Sequence, residues 1–410
     1  KINNFMRVNN CRNCNKKKLS KLFTLGNIYY TGKFSKKNQK IKKGPLELTV
    51  CNHCKLVQLA HKFDLKYMYG PDYGYRSNIN HTMVKHLKKV VLISSKKVGL
   101  KSGDMVLDIA SNDATLLNFY PNNVSTFGID PLVNKYLKYY KKINYKISDF
   151  FSYKKIKSKT KNKFKIITAL SVFYDLEKPN HFLNDVRNLL DVNGIFVLEF
   201  ADLSSILKNN MFDTICHEHL EYYSSKVIYN MCKKNNLKII NIINNNINGS
   251  SKQFHISHEN STHKVNLKKI NDILKDEDKR KVNSKKTLLY FHKDILKIKA
   301  RLIDLLKKIK SKKQSIHAYG ASTKGNVLLQ YFNIDKKFID FVAERNPKKF
   351  NLYTPGTNIK IISEKDSRKM RPNYYLVLPW HFKNEILKRE KKIRSKGTKF
   401  IFPLPKLKIV

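Results

Sequence analysis

The stretch MVLDIASNDATLL, residues 105–117, decides the fold. Its opening is an apolar run that ends near a carboxylate, as in a strand buried on both faces, and the small and polar residues after it mark a turn. Runs of the same kind recur as TFGID (126–130), FKIITAL (164–170) and GIFVLEF (194–200), while NHFLNDVRNLL (180–190) carries helical spacing. This alternation predicts a doubly wound parallel sheet that binds ligands at its strand carboxyl ends. Asp108 closes the first strand and Asp130 the second, 22 residues later. An acidic side chain in the second place accepts the hydroxyls of a ribose. Between them, Ala110 to Ala114 occupy the turn where glycine would let a backbone approach a ligand closely.

Outward toward the amino end, residues 1–75 hold Cys11-Arg-Asn-Cys14 and Cys51-Asn-His-Cys54, with 36 residues between the two pairs. Two residues between thiolates let both sulfurs of a knuckle face one cation, so Cys11, Cys14, Cys51 and Cys54 are expected to hold structural zinc, with no position left for water. Toward the carboxyl end, 248–410 is expected to open with a loop (NGSSKQFHISH) and continue as a Lys-rich amphipathic helix near 285–312. A second strand–turn–helix unit follows, SIHAYGASTKGNVLLQYF (315–332), and then FIDFVAERNP (338–347). Gly320, Ser322, Thr323, Lys324 and Asn326 lie in a turn of phosphate-cradle size, beside the alternative of an ordinary glycine-containing turn. The expected division is 1–75, 76–247 and 248–410.

The 410 residues carry 82 Lys plus Arg against 31 Asp plus Glu, a formal charge of +51, with 41% hydrophobic residues. That apolar share excludes a disordered basic tail. The excess consists of 71 Lys and 11 Arg beside 43 Asn and 9 Ala, the skew that A/T-rich codons produce, and no recognition helix or RNP-like segment accompanies it. No specific nucleic-acid partner is therefore expected, although a positive field attracts phosphate-bearing small substrates. No stretch has the apolar length of a membrane span, KINNFMRVNN has no secretory apolar core, and the expected compartment is the cytoplasm. The sequence leaves monomer and dimer open.

Several blocks together resemble the S-adenosylmethionine-dependent nucleotide-sugar C-methyltransferases: the zinc knuckles with CNHCKLVQL, DIASNDATLL, FDTICHEHLEYYS, YGASTKGNVLLQYF, and the tail LYTPGTNI…LVLPWHFKNE…FIFPLP. The likeness runs in order from Cys11 to the carboxyl end. It implies a small zinc-binding domain, a class I Rossmann-like methyltransferase domain and a second Rossmann-like α/β domain that binds the nucleotide sugar. S-adenosylmethionine would lie against Asp108, Ala110, Ser111, Asn112, Asp113, Asp130, Asp149, Phe150, Leu170 and Ser171. The turn from Gly320 to Asn326, with Arg345, would hold the diphosphate of a nucleotide-linked sugar. His219, with Glu218 beside it, stands where the family keeps its catalytic base, and Tyr73, Tyr75 and His217 are candidates to line the sugar site.

A histidine suits that place, because its unperturbed pKa near 6.5 allows it to take a proton from carbon next to a ketone near neutral pH. In an extended segment His217 and His219 would point one way and Glu218 the other. The metalloprotease alternative fails, since it needs two histidines four apart. Ala110 and Ala114 stand where many relatives have Gly, and Cys216 where many have Tyr. Two other readings compete: a zinc-capped RNA methyltransferase, and a nucleotide-sugar-binding relative without chemistry.

Overall fold

Met105–Ile109, buried along its whole length, is the third strand from one edge of a seven-stranded sheet. The computed structural model describes residues 5–37, 39–69 and 75–410. Across the sheet the order is Tyr145–Ile147, Ser125–Ile129, Met105–Ile109, Phe164–Leu170, Leu190–Phe200, Ser251–His258 and Leu237–Asn245. In chain order that is third, second, first, fourth, fifth, seventh, sixth. The five strands from Tyr145–Ile147 to Leu190–Phe200 are parallel, and Ser251–His258 runs antiparallel to both its neighbours. This is the class I, Rossmann-like methyltransferase topology, and the carboxyl ends of the first, second and fourth strands open side by side.

The loop expected at NGSSKQFHISH is a strand, Ser251–His258, and it belongs to this sheet, so the sheet runs past the boundary drawn at 247. Its polar residues hid it. They are buried and paired inside: Lys252 with Asp202 and Glu277, Gln253 with Glu199, His255 with Gln253, and the Ser257 hydroxyl with Gly194 O. A strand whose polar side chains satisfy one another internally leaves no apolar alternation to read.

The carboxyl-terminal body is a six-stranded sheet ordered Ile361–Ser363, Phe341–Glu344, Ile316–Tyr319, Tyr374–Val377, Lys399–Phe402, Lys408–Ile409, parallel except for the last pair. Counted from Ile316 this is 3-2-1-4-5-6, the dinucleotide-sheet order, with its switch point beside the Gly320 turn. Helix Lys285–Ser311 buries Leu288, Phe291, Ile295, Ile298, Leu302, Leu306 and Ile309, a stripe spaced three or four apart as a helix face requires. Ser284 caps it by accepting from Thr287 N.

The amino-terminal body is a four-stranded antiparallel sheet, and its edge strand Glu221–Tyr222 is lent by the methyltransferase segment, pairing with Val57–Leu59. On the other side Tyr29 and Gln330 exchange two hydrogen bonds (2.8 and 3.1 Å), and the Asn326 amide donates to Thr31 O at 2.7 Å. All three bodies therefore meet around residues 29–32, 216–222 and 322–330.

Candidate active site

The two knuckles fold alike. Asn15 N donates to Cys11 O and Lys55 N to Cys51 O, and Asn15 and Lys55 both take left-handed backbones (φ 57° and 65°) that turn the thiols inward. The four sulfurs lie within 4.8 Å of one another, with Cys11–Cys54 at 3.4 Å and Cys14–Cys51 at 3.6 Å. Tetrahedral zinc with bonds of about 2.3 Å sets its sulfurs about 3.8 Å apart, so the set fits one ion. His53 is exposed, and Lys16 Nζ lies 2.8 Å from its Nε2. Arg12, inside the first knuckle, is buried against Glu221 (3.4 Å) and donates to Leu59 O and His61 O, tying the knuckle to the lent strand.

At the strand ends, Ala110, Asn112 and Ala114 all adopt left-handed backbones (φ 61°, 49° and 58°), the conformation for which glycine is the ordinary choice. The turn thus keeps a glycine-rich shape with alanines in place. Each Asp130 oxygen accepts one backbone N–H, from Leu132 (2.7 Å) and Asn112 (3.0 Å), and burial pushes its pKa up to about 6. A carboxylate offers about four lone-pair sites, so acceptors remain for two ribose hydroxyls, and the cradle fits S-adenosylmethionine.

The other expected cofactor residues divide. Asp108 is buried, accepts from the Thr168 hydroxyl at 2.5 Å and is pushed up to about 7 by burial. The Ser111 hydroxyl meets Tyr140 OH at 2.7 Å inside the core. Asp113 and Asn112 turn their side chains to residues 75–78: Asp113 accepts from Arg76 Nε and Asn78 N, and Asn112 accepts from Ser77 N while donating to Tyr75 O. Tyr75 is half exposed above that clasp, and Tyr73 lies outside the described residues. Asp149 pairs with Lys155 at the surface, and Phe150 beside it is exposed. Ser171, after Leu170, is left-handed (φ 58°), and its hydroxyl accepts from the Asn248 amide at 3.4 Å.

The segment Cys216–Leu220 is a turn, closed by His219 N donating to Cys216 O, and not the extended run that would align its two histidines. His217 leaves for the amino-terminal body. It is fully buried between Tyr30 and Phe63, its Nε2–H donates to Gly44 O at 3.0 Å, and burial lowers its pKa to about 4. His219 goes the other way. Its Nδ1 lies 2.7 Å from Thr214 O, which can only accept, so Nδ1 carries the proton and Nε2 keeps its lone pair. Its ring lies against Tyr174 (4.2 Å), and burial, with the nearby Lys324 charge adding to it, lowers its pKa to about 3. Glu218 is buried with Oε2 unpartnered, accepts from the Cys216 thiol, and is pushed up by burial. Its Oε1 and the Thr323 hydroxyl both abut Gly32, where a side chain would collide.

The Gly320 turn is already partly satisfied. Ala321 N donates to Glu344, and Gly325 N to Ser322 Oγ at the helix cap. Lys324 turns inward to donate to Asn248 O at 3.0 Å. At the mouth stand Arg345, exposed and 3.9 Å from Glu385, and Lys349, whose Nζ donates to Ala321 O. The structure thus brings together His219, Glu218, Thr323, Lys324 and Ser171, leaves Arg345 at the rim, and separates His217, Asp149 and Phe150 from them.

Sequence reasoning missed Thr214 and Tyr174, which fix His219; Asn248, which links Lys324 to Ser171; and Asp213, which accepts from the indole of Trp380 at 2.8 Å. A single tryptophan in the chain was the one available signal. The arrangement sets a neutral imidazole, a buried carboxyl and an ammonium at the strand ends where a cofactor would lie.

Three family models match in order: a zinc binding domain at 11–69, a methyltransferase domain at 75–242 and a C-methyltransferase C-terminal domain at 246–405. The C-methyltransferase NovU of Streptomyces niveus is 25% identical over 369 residues, 89% of this chain and 87% of its own. A methyltransferase from Clostridium acetobutylicum superposes with a TM-score of 0.36 at 11% identity, covering 43% of this chain and 92% of that one. Magnesium protoporphyrin IX methyltransferase from Synechocystis, with bound S-adenosylhomocysteine, gives 0.32 at 14%, covering 47% and 92%. Among the described residues no helix is long and apolar enough to cross a membrane. A zinc-knuckle body, a class I sheet and the C-terminal body in this order place the chain in the family of S-adenosylmethionine-dependent C-methyltransferases.

Proposed function

We propose that the enzyme methylates a ring carbon next to a keto group on a nucleotide-linked deoxysugar in the cytoplasm, with His219 as general base. The observation that carries the reading is the tautomer of His219: Nδ1–H is held by Thr214 O, which leaves on Nε2 the lone pair that a general base uses. When bound, S-adenosylmethionine supplies an electrophilic methyl group. The protein's task is then to make a carbon nucleophile. His219 takes the ring proton, the C–H pair moves into a C=C bond, and the carbonyl oxygen gains the charge of an enolate.

Glu218, with its open Oε2, accepts a sugar hydroxyl beside the Thr323 hydroxyl. The nucleotide end lies over the Gly320 turn at the switch point, with the diphosphate toward Arg345. The buried zinc knuckle holds the lent strand that follows His219 and does no chemistry itself. Incubation with labelled S-adenosylmethionine and a panel of nucleoside-diphosphate ketosugars should move label to carbon; transfer to RNA, or none on the whole panel with intact cofactor binding, would favour the competing readings.

A further inference from the structure

Lys324 is the charged group of the site that the reading above does not use as its position suggests. It starts on the carboxyl-terminal body, in the first turn of helix Thr323–Phe332, yet its ammonium has crossed to the methyltransferase body. There it donates to Asn248 O at 3.0 Å, and the Asn248 amide donates in turn to Ser171 Oγ at the end of the fourth strand. The charge lies among Asp213, Cys216, His219 and His381, all of which feel it. Asp213 is its counter-charge: Oδ2 accepts from Trp380 and Oδ1 is buried without a partner. The next residue, Thr214, orients His219.

A role on the diphosphate fits this placement poorly. Two amides of the turn are taken by Glu344 and Ser322, and the side chains at its mouth are Arg345 and Lys349. Removing a proton from carbon next to a ketone puts negative charge on the carbonyl oxygen, which needs a donor aimed at it. His219 is neutral and gives its N–H to Thr214, and the Cys216 thiol, a weak donor, is committed to Glu218. The Lys324 ammonium has three N–H groups, of which one goes to Asn248 O.

We propose that Lys324 is a catalytic residue that donates a hydrogen bond to the developing enolate oxygen. The proposal rests on the ketosugar reading above. In the step, the ring C–H bond breaks and its proton goes to His219 Nε2. The electron pair forms C=C, the carbonyl π pair moves to oxygen, and that oxygen accepts from Lys324. Without cofactor the step reverses, so in heavy water it replaces the ring hydrogen with deuterium.

The test uses the full zinc-loaded chain, the ketosugar panel in heavy water, and NMR of the ring proton. Wild type should exchange it. Lys324→Met should exchange about 10²–10³-fold more slowly and lose kcat in parallel. Its affinity for uridine and thymidine diphosphate should stay within about threefold, its zinc content should be unchanged, and Lys324→Arg should recover part of the rate. Losing the positive charge should also move the acid limb of kcat/KM upward, because His219 is then easier to protonate. Should Lys324→Met not fold, Lys324→Gln serves as the same test. Wild-type exchange that persists in the variant overturns the proposal alone, as does a tenfold loss of diphosphate affinity with exchange unchanged at saturation. Absence of exchange in wild type across the panel overturns the ketosugar reading and the proposal with it.

Discussion

Replacing His219 with Asn separates the base from its anchor. The Asn amide N–H can take over the Nδ1–H hydrogen bond to Thr214 O, but nothing replaces Nε2. Loss of a general base costs about 10²–10⁴-fold, or about 2.7–5.4 kcal/mol at about 1.36 kcal/mol per decade. The kept anchor limits the stability change to about 1 kcal/mol, whereas His219→Ala leaves Thr214 O without its donor and costs about 1–3 kcal/mol. Methyl-transfer assays at saturating cofactor give kcat, thermal unfolding gives stability, and calorimetry with S-adenosylhomocysteine gives cofactor affinity, which should hold. The pH dependence has a defined sign. His219 is lowered to about 3 in the folded chain, against 6.5 for an ordinary histidine. Below 6.5 the unfolded chain binds a proton that the folded one does not, so this group removes stability as pH falls from 6.5 toward 3, while the folded base stays neutral. The acid limb of kcat/KM should therefore lie well below 6.5. His219→Asn with more than about a tenth of wild-type kcat would refute the assignment.

Three further outcomes follow from the same geometry. Stripping zinc with a chelator should unfold the knuckles and release the strand Glu221–Tyr222, abolishing transfer and lowering the melting temperature; full activity in a metal-free chain would contradict the staple role. Arg12→Met leaves Glu221 buried without its partner and should cost about 3–5 kcal/mol by denaturant titration, with a loss below 1 kcal/mol counting against the ion pair. Asp130→Asn should weaken S-adenosylhomocysteine binding at least about tenfold through the lost ribose acceptor; unchanged affinity in calorimetry would move the ribose elsewhere.

Much of the fold was legible because its information is local. The parallel strands at 105–109 and 164–170 are apolar runs that only a sheet covered on both faces can bury, and CxxC spacing is set by the reach of two thiolates. Ser251–His258 was not legible, because its polar side chains are paid for by partners distant in sequence, such as Asp202 and Glu277. The site shows the same split. His219 and Lys324 stand in recognisable blocks, but the side chains of Asn112 and Asp113 close on residues 75–78, and His217 leaves for Gly44 O. Those directions depend on a single turn at Cys216 and on the docking of three bodies, neither of which spacing reports.

The most direct test of the account is the fate of the methyl group. With carbon-13 methyl-labelled S-adenosylmethionine and an accepted nucleoside-diphosphate ketosugar, the product methyl carbon should bond to a ring carbon that has lost its hydrogen, and the product should vanish with His219→Asn. A labelled methyl bonded to sugar oxygen, or a carbon-linked product made at full rate by His219→Asn, would contradict it.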